Sequence, residues 1–153
     1  MKVTVMGIEY NHLLSGKALA EMGNEVTYIS NDYKRVDNIR RGHYNADEAM
    51  VIKSMNSTNS FGFSTNIKES LSSTNMCFIS EGVSADSEEQ MQEVLEQARL
   101  VGENMTQHMF IIDRSKEAMS RATQIKETIE EALAKRDTNL TFEVIANPSF
   151  LRS

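Results

Sequence analysis

The sequence has few of the features that mark secreted or membrane proteins. Its single cysteine, Cys77, cannot form an internal disulfide, which indicates a reducing cytosol. No apolar run approaches the ~20 residues that a membrane-spanning helix requires. The first ten residues lack the basic stretch followed by an apolar core that makes a signal peptide. We therefore expect a cytoplasmic protein that does not contact a membrane.

Positive charge is also scarce. The chain has 16 Lys and Arg against 22 Asp and Glu, a net charge of −6, which argues against nucleic acid or an anionic membrane as the main partner. A protein partner or a homo-oligomer is the expected association. The three histidines, His12, His43 and His108, are far apart and share no ligand-like spacing with Cys77, so no metal site is predicted. Neither a Gly-x-Ser-x-Gly motif nor a Walker-type loop occurs.

Short β-rich runs alternate with longer runs of helical period, and 153 residues fit one domain. The first strand ends at Gly7, and a helix then runs from His12 to Met22. The predicted strands are 2–6, 25–30, 61–63, 76–80, 108–112 and 141–146; the predicted helices are 12–22, 32–41, 46–55, 67–71, 87–103 and 116–136. Such alternation predicts an α/β fold: one domain over residues 1–153, with a Rossmann-like, mostly parallel sheet and helices on both faces.

Five segments carry a family resemblance. Gly7 opens a turn between the first strand and its helix, and residues 147–152 read N-P-S-F-L-R after the last strand. Between them, residues 23–26 read G-N-E-V at the turn into the second strand, and residues 78–82 and 111–115 stand at the ends of two later strands. Together they resemble the N-terminal domain of UDP-glucose and GDP-mannose 6-dehydrogenases, whose first turn is G-x-G-Y-V-G and whose domain closes on N-P-E-F-L-R. The resemblance covers all 153 residues and implies a Rossmann domain that binds NAD.

By family position, the resemblance places four residues at the cofactor: Gly7, Ser30, Gly82 and Ser115. Gly7 is the first glycine of the phosphate-binding turn, which allows the tight bend. Ser30 stands where the family has the acid that binds the ribose hydroxyls, and a serine offers one weaker, uncharged hydrogen bond. Gly82 matches the family's G-T-P segment, and Ser115 is the serine of its S-T-V-P-x-G-T segment.

The second and third glycines of the turn are Glu9 and His12 in this chain. A carboxylate ~4 Å from a phosphate charge costs about 4 kcal/mol at an effective dielectric of ~20. A helix N-terminus contributes only ~0.3–2 kcal/mol to anion binding. We also expect the His12 side chain to hold the first helix away from the first strand. No cofactor is therefore expected, with NAD, bound more weakly than about millimolar, as the alternative.

Lys34 and Arg35, shortly after Ser30, allow two interpretations. They are solvated charges on a helix, or they receive a 2′-phosphate as in NADP. The first interpretation is the commoner one for charged residues on a short polar helix.

The resemblance also implies that catalysis is absent. The catalytic cysteine, lysine and asparagine of the family lie in later domains, and Cys77 falls inside a predicted strand, where a buried structural thiol is expected. One hypothesis is a non-catalytic pseudoenzyme that acts by binding a protein partner, as an inhibitor or regulator that is accessory or phage-encoded. The alternative is a domain that binds NAD or a nucleotide sugar, as a sensor or as part of a split dehydrogenase.

Overall fold

A computed structural model describes residues 1–55, 61–80, 88–114 and 118–146. Within these residues, strands and helices alternate along the chain. The strands are β1 (Lys2–Met6), β2 (Glu25–Ile29), β3 (Phe61–Ser64), β4 (Met76–Ser80), β5 (Met109–Asp113) and β6 (Phe142–Ala146). The helices are α1 (Tyr10–Glu21), α2 (Tyr33–Arg40), α3 (Ala46–Met55), α4 (Ile67–Leu71), α5 (Glu88–Asn104) and α6 (Ala118–Lys135). Ser87, at the predicted start of α5, lies outside the described residues.

The six strands form one sheet in the order β3-β2-β1-β4-β5-β6, and every neighbouring pair is parallel. This confirms the predicted Rossmann-like fold, because β4 and β5 are parallel neighbours and not a hairpin. The chain builds β1, β2 and β3 outward in one direction and then returns to the other side of β1 for β4. Between β1 and β4 the direction of winding therefore reverses.

Side chains that alternate along the central strands supply two separate cores. On β4, Phe78 belongs to one cluster of buried residues, whereas its neighbours Cys77 and Ile79 belong to another. The first cluster includes Leu13 of α1 and residues of α2 and α3, and the second includes residues of α4, α5 and α6. Because successive strand residues point to opposite faces of a sheet, the sheet has helices on both faces.

Helix α1 packs closely on β2 through a glycine. A Cβ at Gly16 would lie 1.9 Å from the hydroxyl oxygen of Tyr28, which is fully buried on β2. That hydroxyl donates a hydrogen bond to the backbone oxygen of Leu13 at 2.9 Å. From the sequence we expect the His12 side chain to hold this helix away from the sheet. One turn further along, Gly16 nevertheless allows α1 to contact β2 closely.

Candidate functional site at the carboxyl edge of the sheet

The strand order of the sheet reverses between the neighbouring strands β1 and β4. In open α/β sheets, ligands bind in the crevice at such a point, outside the carboxyl ends of the strands. Gly7 follows β1 and Ser30 follows β2, so both lie at this edge. Gly82 and Ser115, the other two residues predicted by family position, lie outside the described residues, as do residues 147–152.

The turn after β1 is closed by the chain's own side chains. Gly7 has φ +147°, a backbone conformation that favours glycine, and its N–H donates to the oxygen of Val5 at 3.1 Å. Glu9 is the N-cap residue of α1 and forms a capping box with His12. In this box, the Glu9 backbone N–H donates to Nδ1 of His12 at 3.2 Å. Helix α1 consequently begins at Tyr10, two residues before the predicted start.

The His12 ring lies directly over Gly7. A Cβ built on Gly7 would be 2.3 Å from Nε2 of His12, so the ring fills the space beside the first glycine. Burial lowers the pKa of His12 from 6.5 to about 4, which makes the ring neutral at pH 7. Because Nδ1 accepts a hydrogen bond, the proton of the neutral ring lies on Nε2.

Glu9 supplies negative charge to the N-terminus of α1. Within the capping box its side chain accepts from the backbone N–H of His12, one of the groups that otherwise binds anions at a helix start. Glu9 is exposed, at the position that the second glycine of the turn would occupy. A phosphate at this turn therefore competes with an internal carboxylate.

Ser30 makes local hydrogen bonds at the end of β2. Its Oγ accepts from the N–H of Asp32 at 3.1 Å, and its own N–H donates to the oxygen of Ser64 at 3.1 Å. Asp32 is in turn the N-cap of α2, with a carboxylate oxygen 3.0 Å from the N–H of Arg35. Among the described residues, the Ser30 hydroxyl thus keeps its proton available as a donor to a ligand.

Arg35 is ion-paired and partly exposed, whereas Lys34 is exposed, so the interpretation as solvated charges fits Lys34 and describes Arg35 only in part. The Arg35 guanidinium pairs with Glu48 of α3 and lies 3.5 Å from the backbone oxygen of Ile8. Only 2% of the Glu48 side chain is exposed, against 27% for Arg35.

Sequence reasoning missed Glu48, although a signal was present. Asn45 and Glu48 form a reciprocal capping arrangement at the start of α3: the Asn45 N–H donates to Glu48 at 3.1 Å, and the Glu48 N–H donates to Asn45 at 2.8 Å. The spacing N-x-x-E is the sequence pattern of such a cap. This pattern predicts that α3 begins next to Asn45, but it does not predict that the Glu48 carboxylate pairs with Arg35.

A second ion pair lies on the other side of the crevice. Asp113 ends β5, and its carboxylate binds Arg121 of α6 through a contact of 3.0 Å between Nη2 and Oδ1. Both side chains are fully buried. The neighbouring Arg114 donates to the hydroxyl of Ser15 on α1, which connects β5 to the first helix across the sheet edge. No local spacing predicts these contacts, because Asp113 and Arg121 lie on different elements and Arg114 and Ser15 are 99 positions apart.

The remaining candidate chemistry lies elsewhere. Cys77 is fully buried in β4, and burial raises the pKa of its thiol, which disfavours the reactive thiolate. Among the described residues, no three His, Cys, Asp or Glu side chains are grouped as a metal site. Within the same residues, no helix is long and apolar enough to cross a membrane.

Two curated relatives align with almost the whole chain. UDP-glucose 6-dehydrogenase of Pseudomonas aeruginosa is 27% identical over 157 residues, and UDP-glucose 6-dehydrogenase YwqF of Bacillus subtilis is 26% identical. Each alignment covers 99% of this chain and 35% of the relative. The chain therefore spans about a third of the length of these relatives.

Solved structures of similar proteins share the fold. A ternary complex of GDP-mannose dehydrogenase from Pseudomonas aeruginosa matches with a TM-score of 0.73 at 18% identity, over 100% of this chain and 37% of that one. UDP-D-ManNAc dehydrogenase from Pyrococcus horikoshii matches with a TM-score of 0.75, also at 18% identity, over 95% and 35% of the two chains. The model of the UDP-glucose/GDP-mannose dehydrogenase family, NAD binding domain, matches residues 1–153. The chain therefore belongs to the UDP-glucose/GDP-mannose dehydrogenase family and corresponds to its NAD binding domain.

Proposed function

We propose that this chain binds NAD at the carboxyl edge of its sheet, as the dinucleotide-binding part of a nucleotide-sugar dehydrogenase. The observation that carries the proposal is the match of the family's NAD binding domain to all 153 residues. The strand order supports it, because the winding reverses between β1 and β4 beside the first turn. Family membership thus favours NAD over the expectation that no cofactor binds.

Glu9 and His12 set the strength of this binding. A pyrophosphate at the first turn must displace the Glu9 carboxylate from the N-terminus of α1 and approach a backbone that the His12 ring covers. We expect a dissociation constant for NAD near or above about 1 mM, which corresponds to ~4.1 kcal/mol or less of binding free energy. Weak binding of this kind suits a sensor, or a domain that gains affinity from a second chain in a split dehydrogenase.

Titration calorimetry with NAD, ADP-ribose and UDP-glucose tests the proposal. The triple variant Glu9→Gly, His12→Gly, Ser30→Asp restores the glycines and the ribose acid, and we expect it to bind NAD at least about tenfold more tightly. The glycine at position 12 lies within α1 and costs roughly 1 kcal/mol of stability, whereas position 9 is the N-cap, where glycine is tolerated. The control Asn11→Gly, Leu14→Gly places two glycines in the same helix at exposed positions and should leave NAD affinity unchanged. No NAD binding by the folded triple variant would refute the proposal.

A second candidate is a non-catalytic regulator that binds a protein partner. The observation that favours it is that the chain's own side chains fill the first turn, where a ligand would otherwise bind. The two candidates make different predictions for a capture experiment from the source cell. A regulator retains a stoichiometric partner whose binding is unaffected by NAD, whereas a cofactor domain responds to NAD.

A further inference from the structure

We infer that the ribose end of this site prefers a dinucleotide with a 2′-phosphate, such as NADP, over NAD; the inference rests on the proposed function. The relevant residues are Ser30, Arg35 and Glu48. Met6 of β1 is in register with Ile29 of β2, and Gly7 and Ser30 are the residues that directly follow this pair. The ribose of a bound adenosine lies at this place in a Rossmann domain.

An acid at the end of β2 selects NAD because it accepts from both ribose hydroxyls and repels a 2′-phosphate. Ser30 removes that repulsion. Its Oγ already accepts from the Asp32 N–H, so the hydroxyl proton is the part that is free to bind a ligand, and a phosphate oxygen is an acceptor. Asp32 does not replace the missing acid, because it lies two residues later and its carboxylate caps α2.

Arg35 supplies the positive charge. Its guanidinium is fixed by Glu48 and lies 3.5 Å from the oxygen of Ile8, which follows Gly7 directly. Both contacts use Nη2, and within the described part of the chain Nε and Nη1 donate to no other group. Guanidinium groups bind phosphate through such paired donors.

The Glu48 carboxylate does not neutralise the part of the Arg35 guanidinium that is exposed to solvent. The carboxylate is buried and also accepts from the Asn45 N–H, whereas more than a quarter of the Arg35 side chain is exposed. The ion pair therefore presents its cationic member at the surface. Glu48 fixes the orientation of the guanidinium and leaves its outer donors to a ligand.

The test compares NADP with NAD by ligand-observed NMR titration of the unmodified chain. The two ligands differ only in the 2′-phosphate, and the net charge of −6 disfavours NADP in any non-specific binding. We expect NADP to bind at least about tenfold more tightly. Ser30→Asp should reverse the preference, since it restores the acid.

Variants of the ion pair identify the residue responsible. Arg35→Gln combined with Glu48→Gln removes both charges without stranding one of them, and it should abolish the preference for NADP. The control Asp37→Asn with Arg41→Gln removes an exposed pair of the same helix, whose contact is 3.1 Å, and should leave the preference intact.

Each other outcome counts against the inference. Equal or tighter binding of NAD by the unmodified chain overturns it and leaves the proposed function standing. A preference for NADP that Lys34→Gln abolishes, and that the Arg35 and Glu48 variant retains, overturns the assignment to Arg35. Absence of binding of either dinucleotide by the folded chain overturns the proposed function and the inference with it.

Discussion

His12 has three structural roles at the first turn of α1. Its Nδ1 accepts from the Glu9 N–H, its backbone N–H takes part in the capping box, and its ring covers Gly7. Only the neutral ring fulfils the first role, because a protonated Nδ1 is a donor. The protonation state of one residue therefore couples the geometry of the phosphate-binding turn to the stability of the fold.

The lowered pKa of His12 makes stability depend on pH in a defined window. The unfolded chain binds the proton with a pKa near 6.5 and the folded chain with a pKa of about 4, so stability falls as pH decreases from 6.5 to 4 and changes little from this source above 6.5. The loss should amount to roughly 2–3 kcal/mol. Urea unfolding of the native chain and of His12→Gln at several pH values isolates the contribution of His12 to this pH dependence, because the carboxylates titrate in both proteins. Parallel pH profiles for the two would contradict the prediction.

Gly7 is under two constraints that a double-mutant cycle separates. Gly7→Ala introduces a side chain at φ +147° and a Cβ 2.3 Å from the His12 ring, and we expect it to lower the free energy of unfolding by more than about 2 kcal/mol. In a His12→Ala background the clash is gone and the backbone strain remains, so the loss should shrink by about 1 kcal/mol.

Gly62→Ala is the matched control for this cycle. Gly62 lies in β3, and a Cβ there meets nothing within 4 Å, so the change should stay within about 0.5 kcal/mol. Chemical denaturation of the native chain, the two single variants and the double variant gives the coupling free energy between positions 7 and 12, and Gly62→Ala is measured alongside them. If Gly7→Ala costs the same with and without the His12 ring, the ring does not occupy the space over Gly7.

At the level of elements, β5 and α6 are joined by a buried ion pair. Asp113 and Arg121 are both fully buried, and burial of charge is unfavourable unless the partner is retained. A variant that lacks one partner keeps a buried charge without its counterion in this pair, whereas a variant that lacks both partners keeps neither charge. The position of α6 against the carboxyl end of β5 is thus sensitive to single changes at this pair.

We expect Asp113→Val alone to destabilise the fold by about 3–5 kcal/mol. Combining it with Arg121→Met should restore most of that loss, because two apolar side chains then fill the same buried space. Thermal unfolding of the two single variants and the double variant measures the coupling. Additive losses in the double variant would show that the pair does not act as a unit.

The element pattern could be predicted because each strand and helix has its own local signal. The alternation of apolar runs located all six strands to within about two residues. The differences arise from side chains: α1 begins at Tyr10 because Glu9 caps it, and β5 extends to Asp113, which is in register with Ala146 of β6.

The candidate site was predictable only where it depends on backbone position. Gly7 and Ser30 follow strands, so their place at the sheet edge follows from the order of elements. The contact of Arg35 with Glu48 joins α2 to α3, and the contact of Arg114 with Ser15 spans 99 positions. Periodicity carries no information on such side-chain orientations, because they depend on tertiary packing.

In the molecule as a whole, one sheet separates two hydrophobic cores. The chain spans about a third of the length of the relatives that it matches. The catalytic residues that the family resemblance implies belong to later domains, and Cys77 has no exposed surface from which to act. We therefore expect the 153-residue chain alone to leave UDP-glucose and GDP-mannose unoxidised. The physical reason is that, among the described residues, a bound dinucleotide would face no nucleophilic thiolate, because Cys77 is fully buried.

An assay of NADH formation at 340 nm, with either nucleotide sugar and several millimolar NAD, checks this expectation. NADP replaces NAD in a parallel series, so that a changed cofactor preference does not hide activity. The full-length Pseudomonas aeruginosa relative is the positive control. Contaminating activity is distinguished by the variant Gly7→Ala, which alters the first turn of this chain and no other protein in the preparation. Steady formation of reduced cofactor that this variant abolishes while it remains folded would show that the single domain is itself catalytic.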